Sequence, residues 1–312
     1  MNASSKNLFT LFLQIAGISE EEVDIDFQKF ERSNCTMEEF SKLNLSNLCE
    51  TMFLKRILIR LSKVYDNPNL RKRIESVVDK KIPNVKGDLH VHTNWSDGTY
   101  PLELYVEKAE KMGYKYLAIT DHSLVGKGNV QVDSDKFLKQ IKYINEIQQR
   151  TCVKIIKGVE IDINENDHLD YSDEILEKAD FILGAVHFDY GKGKERAFEL
   201  LESLLKNKYV NVIAHPLNKI GEKIFRNHLD EIVEMAKENK KAFEISLVPD
   251  RIEESDFIVE NLKNSGVKFS FGTDSHSVKQ LELMSLSNLW LDEIGKNSIA
   301  NFYEEPLEFL ED

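Results

Sequence analysis

The sequence is short of cysteine, of long apolar runs and of positive charge. Its three cysteines, Cys35, Cys49 and Cys152, lie far apart and form no CxxC pair, so we expect a reducing, cytoplasmic environment without a disulfide framework. No stretch approaches the roughly twenty apolar residues that a membrane-spanning helix needs. Thr10 and Gln14 interrupt the apolar run near the N-terminus, which favours an amphipathic helix over a cleaved signal peptide. The formal net charge of −13 disfavours a protein whose main task is to hold duplex DNA electrostatically.

Several familiar motifs are also missing. The chain contains neither GxGxxG nor GxxxxGK[ST], so nucleotide binding by those routes has no support and we expect no nucleotide cofactor. It contains no GxSxG elbow and no cysteine beside a histidine at a predicted strand end. No nucleophilic side chain is therefore apparent, and the chemistry has to come from other groups.

Residues 1–82 have the periodicity of helices. Apolar residues recur at three- and four-residue spacings in "NLFTLFLQIAG", "TMEEFSKLNLSNLCETMFLKRILIRLSKVY" and "NLRKRIESVV", and Thr36 with Glu39 is typical of a capping box. Pro83 breaks the pattern, so we predict a small all-helical domain at 1–82 and a second domain at 83–312. Nine basic residues against three acidic ones at 55–81 indicate either a solvated helical face or a contact with nucleic acid or a protein partner.

From residue 86 the pattern changes to short apolar strands alternating with amphipathic helices. This alternation favours a parallel α/β barrel of seven strands, with an open doubly wound sheet as the alternative. The predicted strands are "GDLHVHT", "YLAIT", "VKIIKGVEIDI", "FILGAVHF", "NVIAHP", "AFEISLV" and "VKFSFGTD".

Histidines and carboxylates follow or end nearly every predicted strand. Residues two apart in a strand point to the same side, so the imidazoles of His90 and His92 should converge. In a parallel barrel all C-terminal strand ends meet at one face. Six of the eight histidines occupy such positions, which packing alone does not explain. The candidate metal ligands are His90, His92, Asp97, His122, Glu160, His187, His215, Asp274 and His276.

This set of side chains indicates a metal centre. Imidazoles and carboxylates together suit zinc, manganese or iron, and nine ligands are too many for one tetrahedral ion. We therefore predict two or three divalent ions, with Glu160 as the shared ligand and Asp121 orienting a ligand from behind. Such ions would activate a bridging hydroxide for in-line attack at phosphorus. Glu160, Asp274 and His187 are the catalytic candidates for this metal-dependent hydrolysis of phosphate esters.

The motifs "DLHVHTNWSDG", "ITDHS", "GVEIDI", "VH", "AHP" and "TDSH" resemble, in order and spacing, those of the PHP family of polymerase and histidinol phosphatase phosphoesterases. The resemblance covers residues 84–312 and implies a distorted seven-stranded (β/α) barrel of the TIM type with a trinuclear centre. It implies the following sharing of ligands: His90, His92, Glu160 and Asp274 at one ion, Glu160, His187 and His215 at a second, and Asp97, His122 and His276 at the third.

Within that family the chain is most similar to the C-terminal PHP domain of bacterial and archaeal family X DNA polymerases. The similar stretches are "VKGDLHVHTNWSDG", "LDYSDEILEKADFILGAVH" and "EEPLEFLED". That resemblance implies 3′–5′ exonuclease and phosphatase activity, although 82 residues cannot hold a polymerase palm and fingers. "PLNKIG" and "EISLVPDR" depart from the polymerase pattern of "PTGR"-like and "EINANP"-like segments, which changes the expected substrate pocket but not the metal ligands.

Four residues are candidates for substrate contact. Arg251 could clamp a phosphate with its planar guanidinium, or form a surface ion pair with Glu253 or Glu254. Trp95 could form a pocket wall. Lys127 and Lys219 follow predicted strands and could touch substrate or stay solvated.

We predict a phosphatase acting on small phosphomonoesters or nucleotides. The alternative is a 3′–5′ exonuclease or 3′-end-processing nuclease on DNA or RNA, and histidinol phosphate is a further possible substrate. A non-catalytic, metal-stabilised scaffold for a protein partner is the second alternative. An amidohydrolase is disfavoured, because no bridging lysine occurs at a predicted strand end.

Overall fold

The computed structural model describes residues 67–77, 80–123 and 131–311. Its sheet has seven strands, each paired in parallel with the next along the chain. The strands are β1 (Gly87–Asp88), β2 (Tyr116–Ile119), β3 (Lys154–Asp162), β4 (Phe181–Ala185), β5 (Val212–Ile213), β6 (Ala242–Ser246) and β7 (Lys268–Gly272). The predicted parallel barrel is confirmed, and the open doubly wound sheet is wrong, since strand order follows chain order without reversal.

Helices cover the outside of this sheet. They are α1 (Pro68–Val77), α2 (Leu102–Met112), α3 (Ser134–Gln148), α4 (Asp173–Leu176), α5 (Lys194–Lys206), α6 (Gly221–Asn227), α7 (Leu229–Glu238), α8 (Ile252–Leu262), α9 (Leu291–Ile294) and α10 (Pro306–Glu311). Short 3₁₀ segments occupy Pro249–Arg251, Val278–Leu289, Lys296–Ser298 and Ala300–Phe302. None of the helices in the described ranges has the length and apolar character to cross a membrane.

Alternate strand residues belong to two different apolar layers. Tyr116 and Ala118 lie in a small cluster made largely of strand residues, whereas Leu117 and Ile119 lie in the large cluster shared with the helices. Because side chains alternate across a strand, the small cluster is the barrel interior. Glu160 lies four residues after Ile156 on β3, and therefore on the same side of the strand. Its carboxylate thus points into the barrel, nearer the C-terminal end of the strand than Ile156.

The barrel is nearly closed, because β1 and β7 do not pair along their length. β1 and β7 are joined beyond their ends by a bridge between Val91 and Ser275. Below this bridge the side chain of Asn301, which is fully buried, spans the gap. Its amide Nδ2 donates to the carbonyls of Gly87 and Phe271, at 3.0 Å each, and its Oδ1 accepts from the Phe271 N–H at 2.7 Å. The Asn301 side chain therefore supplies the hydrogen bonds that an eighth strand would otherwise make at this point.

Helix α1 packs directly on the barrel. Its apolar residues Leu70, Ile74 and Val77 are buried in the large cluster, and Arg73 forms a bidentate ion pair with Asp256 of α8. This helix falls within the predicted domain at 1–82. Residues 1–66 of that domain, which hold the predicted capping box and four of the nine basic residues of 55–81, lie outside the described residues, so the domain boundary stays a prediction.

Candidate metal centre

The nine predicted ligands lie together at the C-terminal ends of the strands. Most follow the last residue of a strand, and Glu160 lies near the end of β3. Two of them, His215 (φ 30°) and Asp274 (φ 49°), have left-handed backbone conformations that non-glycine residues rarely adopt. Such strained positions are commonly found at functional sites, where the surroundings hold them.

The deepest part of the cluster brings together three side chains from the segments that follow β1 and β7. The Nε2 atoms of His90 and His92 are 3.0 Å apart, and Asp274 Oδ1 lies 3.1 Å from His92 Nε2 and 3.6 Å from His90 Nε2. Both imidazoles are fully buried. The predicted convergence of the two histidines is present.

Glu160 is at the centre of the cluster, with imidazole nitrogens on every side. Its Oε1 lies 2.7 Å from His215 Nε2 and 3.5 Å from His187 Nε2. Its Oε2 lies 2.9 Å from His122 Nδ1 and 3.5 Å from the Nε2 atoms of both deep histidines. One carboxylate is thus approached by imidazoles from the segments that follow β1, β2, β4 and β5.

A third group lies at the mouth of the barrel. Asp97 Oδ1 is 3.1 Å from His276 Nε2 and 3.6 Å from His122 Nε2. These side chains are 15–28% exposed. The mouth group is therefore nearer to solvent than the pair of histidines below it.

The donor set fits divalent metal ions. Three groups of ligand atoms lie within 4.8 Å of one another: His92, Asp97, His122 and His276; His90, His92 and Asp274; His122, Glu160 and His187. Glu160 Oε2 is buried yet makes no hydrogen bond, although three imidazole nitrogens approach it, and His92 Nδ1 and Asp97 Oδ1 are also buried without one. Buried polar atoms that converge without bonding to each other are what a cation between them would explain.

Burial and neighbouring charges both shift the pKa values of these groups. Burial opposes the charging of Glu160, but the imidazoles of His122, His90 and His187 outweigh it and hold the pKa of the carboxyl well below its usual range. Burial also opposes the protonation of His122, yet Glu160 and Asp97 raise its pKa to about 9. For His92, burial and the charges of His122 and His276 act together and lower the pKa to about 3. These shifts keep the Glu160 carboxylate ionised and the His92 imidazole neutral, which are the states in which the two groups bind metal, whereas a metal ion would have to displace the proton of His122.

Two buried carboxylates behind the cluster were not predicted as site residues. Glu244 of β6 lies 2.6 Å from His90 Nδ1 and accepts the backbone N–H of His215 at 2.8 Å. Asp162, two residues after Glu160 on β3, lies 2.9 Å through both oxygens from His187 Nδ1. A sequence signal existed in each case, because an acidic residue interrupts an otherwise apolar strand in "AFEIS" and in "VEIDI".

The buried side chain of Asp121, which was predicted to orient a ligand from behind, is hydrogen-bonded to the loop before Asp97 and to α3. Its carboxylate accepts the Thr93 N–H and hydroxyl at 2.7 Å each, the Ser96 N–H at 3.1 Å and the amide of Gln140 at 2.6 Å. These bonds fix the loop that carries Asp97. Asp121 is not a member of the three ligand groups found among the described residues.

The predicted substrate residues have different surroundings. The side chain of Arg251 is 16% exposed and its Nη1 lies 3.0 Å from Asp274 Oδ2, so it points to the candidate ligands and not to a surface ion pair. Trp95 is half-buried with its ring centre 5.9 Å from that of Tyr143 on α3. Lys219 is half-buried in the loop after β5, and Lys127 lies outside the described residues. Their roles stay predictions.

Sequence comparison connects this site with known proteins. The sequence model of the PHP domain matches residues 88–247, slightly more than half of the chain. The chain is 31% identical over 207 residues to the DNA polymerase/3′-5′ exonuclease PolX of Bacillus subtilis, a match that covers 65% of this chain and 36% of that protein. It is 30% identical over 200 residues to a probable phosphatase of Thermoanaerobacter sp. strain X514, covering 61% of this chain and 78% of that protein.

A solved structure shares the fold. The histidinol phosphate phosphatase of Lactococcus lactis, crystallised with zinc, L-histidinol and phosphate, superimposes with a TM-score of 0.52 at 21% identity, over 70% of this chain and 97% of that one. At this level of identity the likeness supports the architecture alone.

Proposed function

Because the chain belongs to the PHP family of metal-dependent phosphoesterases, we propose that it hydrolyses small phosphomonoesters, nucleotides among them, at a centre of three divalent ions. The observation that carries the proposal is Glu160: a buried carboxylate with an unbonded oxygen, approached by imidazoles that follow four different strands. A carboxylate so placed is suited to bridge metal ions.

The nine ligands would divide into three sets. We assign His90, His92 and Asp274 with one oxygen of Glu160 to the deepest ion, and the other oxygen with His187 and His215 to a second. Asp97, His122 and His276 would hold the ion at the mouth. The ligand groups described above overlap this division, and zinc, manganese or iron suits each set.

Ions bound there would supply the Lewis acidity that polarises a phosphoryl oxygen and lowers the pKa of a water molecule, so no nucleophilic side chain is needed. Glu160, Asp274 and His187, the predicted catalytic residues, would act by holding these ions. Arg251 would bind the phosphate: its guanidinium is already held beside Asp274 and offers a planar pair of donors.

Two observations favour a small substrate over a nucleic-acid end. The match to the Thermoanaerobacter phosphatase covers 78% of that relative, whereas the match to the Bacillus polymerase covers 36% of it. The net charge of −13 also gives little electrostatic attraction for a polyanion. The PolX relative nevertheless supports a second candidate function, a 3′–5′ exonuclease, with the same metal centre.

A substrate panel with manganese or zinc present tests the proposal. It should contain nucleoside monophosphates and bisphosphates, histidinol phosphate, p-nitrophenyl phosphate and single-stranded oligonucleotides with free 3′ ends. We expect release of inorganic phosphate from at least one monoester. Glu160→Gln should lower that rate by more than about 100-fold, because replacing even an outer partner of a metal ligand costs about 10–100-fold.

The exposed Glu238 on α7 provides the matched control, since Glu238→Gln makes the same chemical change away from the site. Metal content measured by elemental analysis should exceed one ion per chain in the wild type. Bound metal without turnover on any substrate would favour the scaffold alternative. Shortening of oligonucleotides without turnover of any monoester would favour the exonuclease.

A further inference from the structure

We propose that Glu244 is a positioning residue that holds His90 with its Nε2 atom directed at the deepest ion; the inference rests on the metal centre proposed above. Glu244 is 1% exposed and lies in β6, which is separated from β1 by β7. It is distinct from the nine predicted ligands, and among the described residues it belongs to none of the three ligand groups.

The first argument is the hydrogen bond to the imidazole. An ionised carboxylate can only accept, so the 2.6 Å contact between Glu244 Oε1 and His90 Nδ1 requires the proton to be on Nδ1. In the neutral ring this leaves the lone pair on Nε2. That atom faces His92 Nε2 at 3.0 Å and Asp274 Oδ1 at 3.6 Å, where the ligands of the deepest set converge. Glu244 thereby selects both the tautomer and the orientation of the ring.

The second argument is the other oxygen of the same carboxylate. Glu244 Oε2 accepts the backbone N–H of His215 at 2.8 Å, and His215 is the residue with a φ of 30°. A strained backbone persists only where its surroundings hold it. One carboxylate therefore fixes a ligand side chain after β1 and the backbone of a ligand after β5, and has both oxygens occupied in doing so.

The third argument is the glycine next to this contact. A Cβ atom added at Gly272, the last residue of β7, would lie 2.0 Å from Glu244 Oε1 and 2.8 Å from His90 Cβ. Gly272 is not among the residues with positive φ, so its backbone does not need a glycine. What it provides is the space through which Glu244 reaches His90. A Gly272→Ala substitution should thus displace the contact while leaving both partners in the sequence.

Metal affinity, measured apart from turnover, tests the assignment. We would compare wild type, Glu244→Gln, Glu244→Ala and Gly272→Ala by titration with Co²⁺, following its absorption spectrum, and by competition of Zn²⁺ with a chelating dye. Glu244→Ala and Gly272→Ala should weaken the binding of one ion by about 10–100-fold and change the Co²⁺ spectrum. Glu244→Gln should be partly rescued, because its amide oxygen still accepts from His90 but its NH₂ cannot accept from His215.

Gly184→Ala is the matched control. Gly184 is a buried strand glycine whose added Cβ would press at 3.0 Å on Leu204 and Val210, not on a group of the site. Its variant should lose stability and keep the wild-type Co²⁺ spectrum and Zn²⁺ affinity. A change in spectrum restricted to the Glu244 and Gly272 variants would therefore not be a general effect of a disturbed strand.

Wild-type affinity and spectrum in folded Glu244→Ala and Gly272→Ala would overturn the inference. If wild type itself binds no divalent ion, the proposed function fails with it, and the two failures are told apart by the wild-type titration. If both variants fail to fold, NMR of ¹⁵N-histidine in the zinc-loaded wild type decides. His90 should carry its proton on Nδ1, and a proton on Nε2 would refute the assignment.

Discussion

Replacing Asn301 by leucine should destabilise the barrel far more than a typical loop substitution. Leucine has nearly the same size and shape as asparagine, so the packing of the barrel interior next to this position, which includes Ala300, is largely kept. The change removes the three hydrogen bonds that the amide makes across the gap between β1 and β7. Two carbonyls and one N–H group then lose their partner in a buried position.

The magnitude follows from these three groups. A buried backbone group left without a partner costs about 1–3 kcal/mol, so three cost about 3 kcal/mol even at the lower limit. This is a large fraction of the roughly 5–15 kcal/mol by which a domain is stable. With a urea m-value of about 3 kcal/mol/M, the unfolding midpoint should fall by about 1 M.

Urea unfolding followed by tryptophan fluorescence measures this shift, because both tryptophans, Trp95 and Trp290, pack in or against the large apolar cluster. Asn261→Leu is the control: its amide makes a single bond to the Phe257 carbonyl on a helix, and its loss should cost about 0.5–1.5 kcal/mol. A midpoint for Asn301→Leu equal to that of the control would refute the idea that this side chain closes the barrel.

Three further outcomes are expected. Arg251→Ala should raise KM for a phosphomonoester about tenfold or more, since a hydrogen bond to a charged group is worth about 1.5–3 kcal/mol. An unchanged KM with intact metal content would show that Arg251 does not bind the phosphate. A chelator should extract metal in at least two phases. The ion held by Asp97 and His276 at the mouth should leave first, because those side chains are 15–28% exposed whereas His90 is fully buried. A single phase would contradict this order. Burial lowers the pKa of Lys241 to about 8 in the folded protein. Between about pH 8 and 10.5 this lysine therefore binds more protons in the unfolded chain than in the folded one, so the free energy of unfolding should rise with pH across that range. Lys241→Met should flatten this rise in urea unfolding, and an equal slope in both proteins would show that the buried amine is not its source.

The sequence was sufficient to predict the barrel and to predict that the nine candidate ligands gather at one face of it. Strand ends carry their own chemical signature here, since a histidine or carboxylate directly after an apolar strand is costly unless it has partners. The prediction of Glu160 as the shared ligand chose one of two carboxylates in the motif "GVEIDI", which also contains Asp162. Asp162 and Glu244 were passed over because a carboxylate inside a strand gives no indication of which imidazole it will face.

The gap between β1 and β7 could not be predicted. Asn301 is 214 residues away from Gly87 along the chain, and nothing in "SIANFYEE" distinguishes it from a surface asparagine. Likewise, the 3₁₀ turn at Pro249–Arg251 determines whether the guanidinium of Arg251 points to solvent or to Asp274. Long-range pairings of this kind are set by tertiary packing and not by local pattern.

The attachment of α1 to the barrel affects how shortened forms of this protein have to be prepared. A truncation starting at residue 83 would take away the arginine that pairs with Asp256 and uncover apolar surface beneath Leu70 and Ile74. Asp256 also accepts the indole N–H of Trp290, and α8, which carries it, begins directly after Arg251. Lost turnover in that truncated form would therefore say little about the segment before the helix, whereas a chain starting at Asn67 would separate the two.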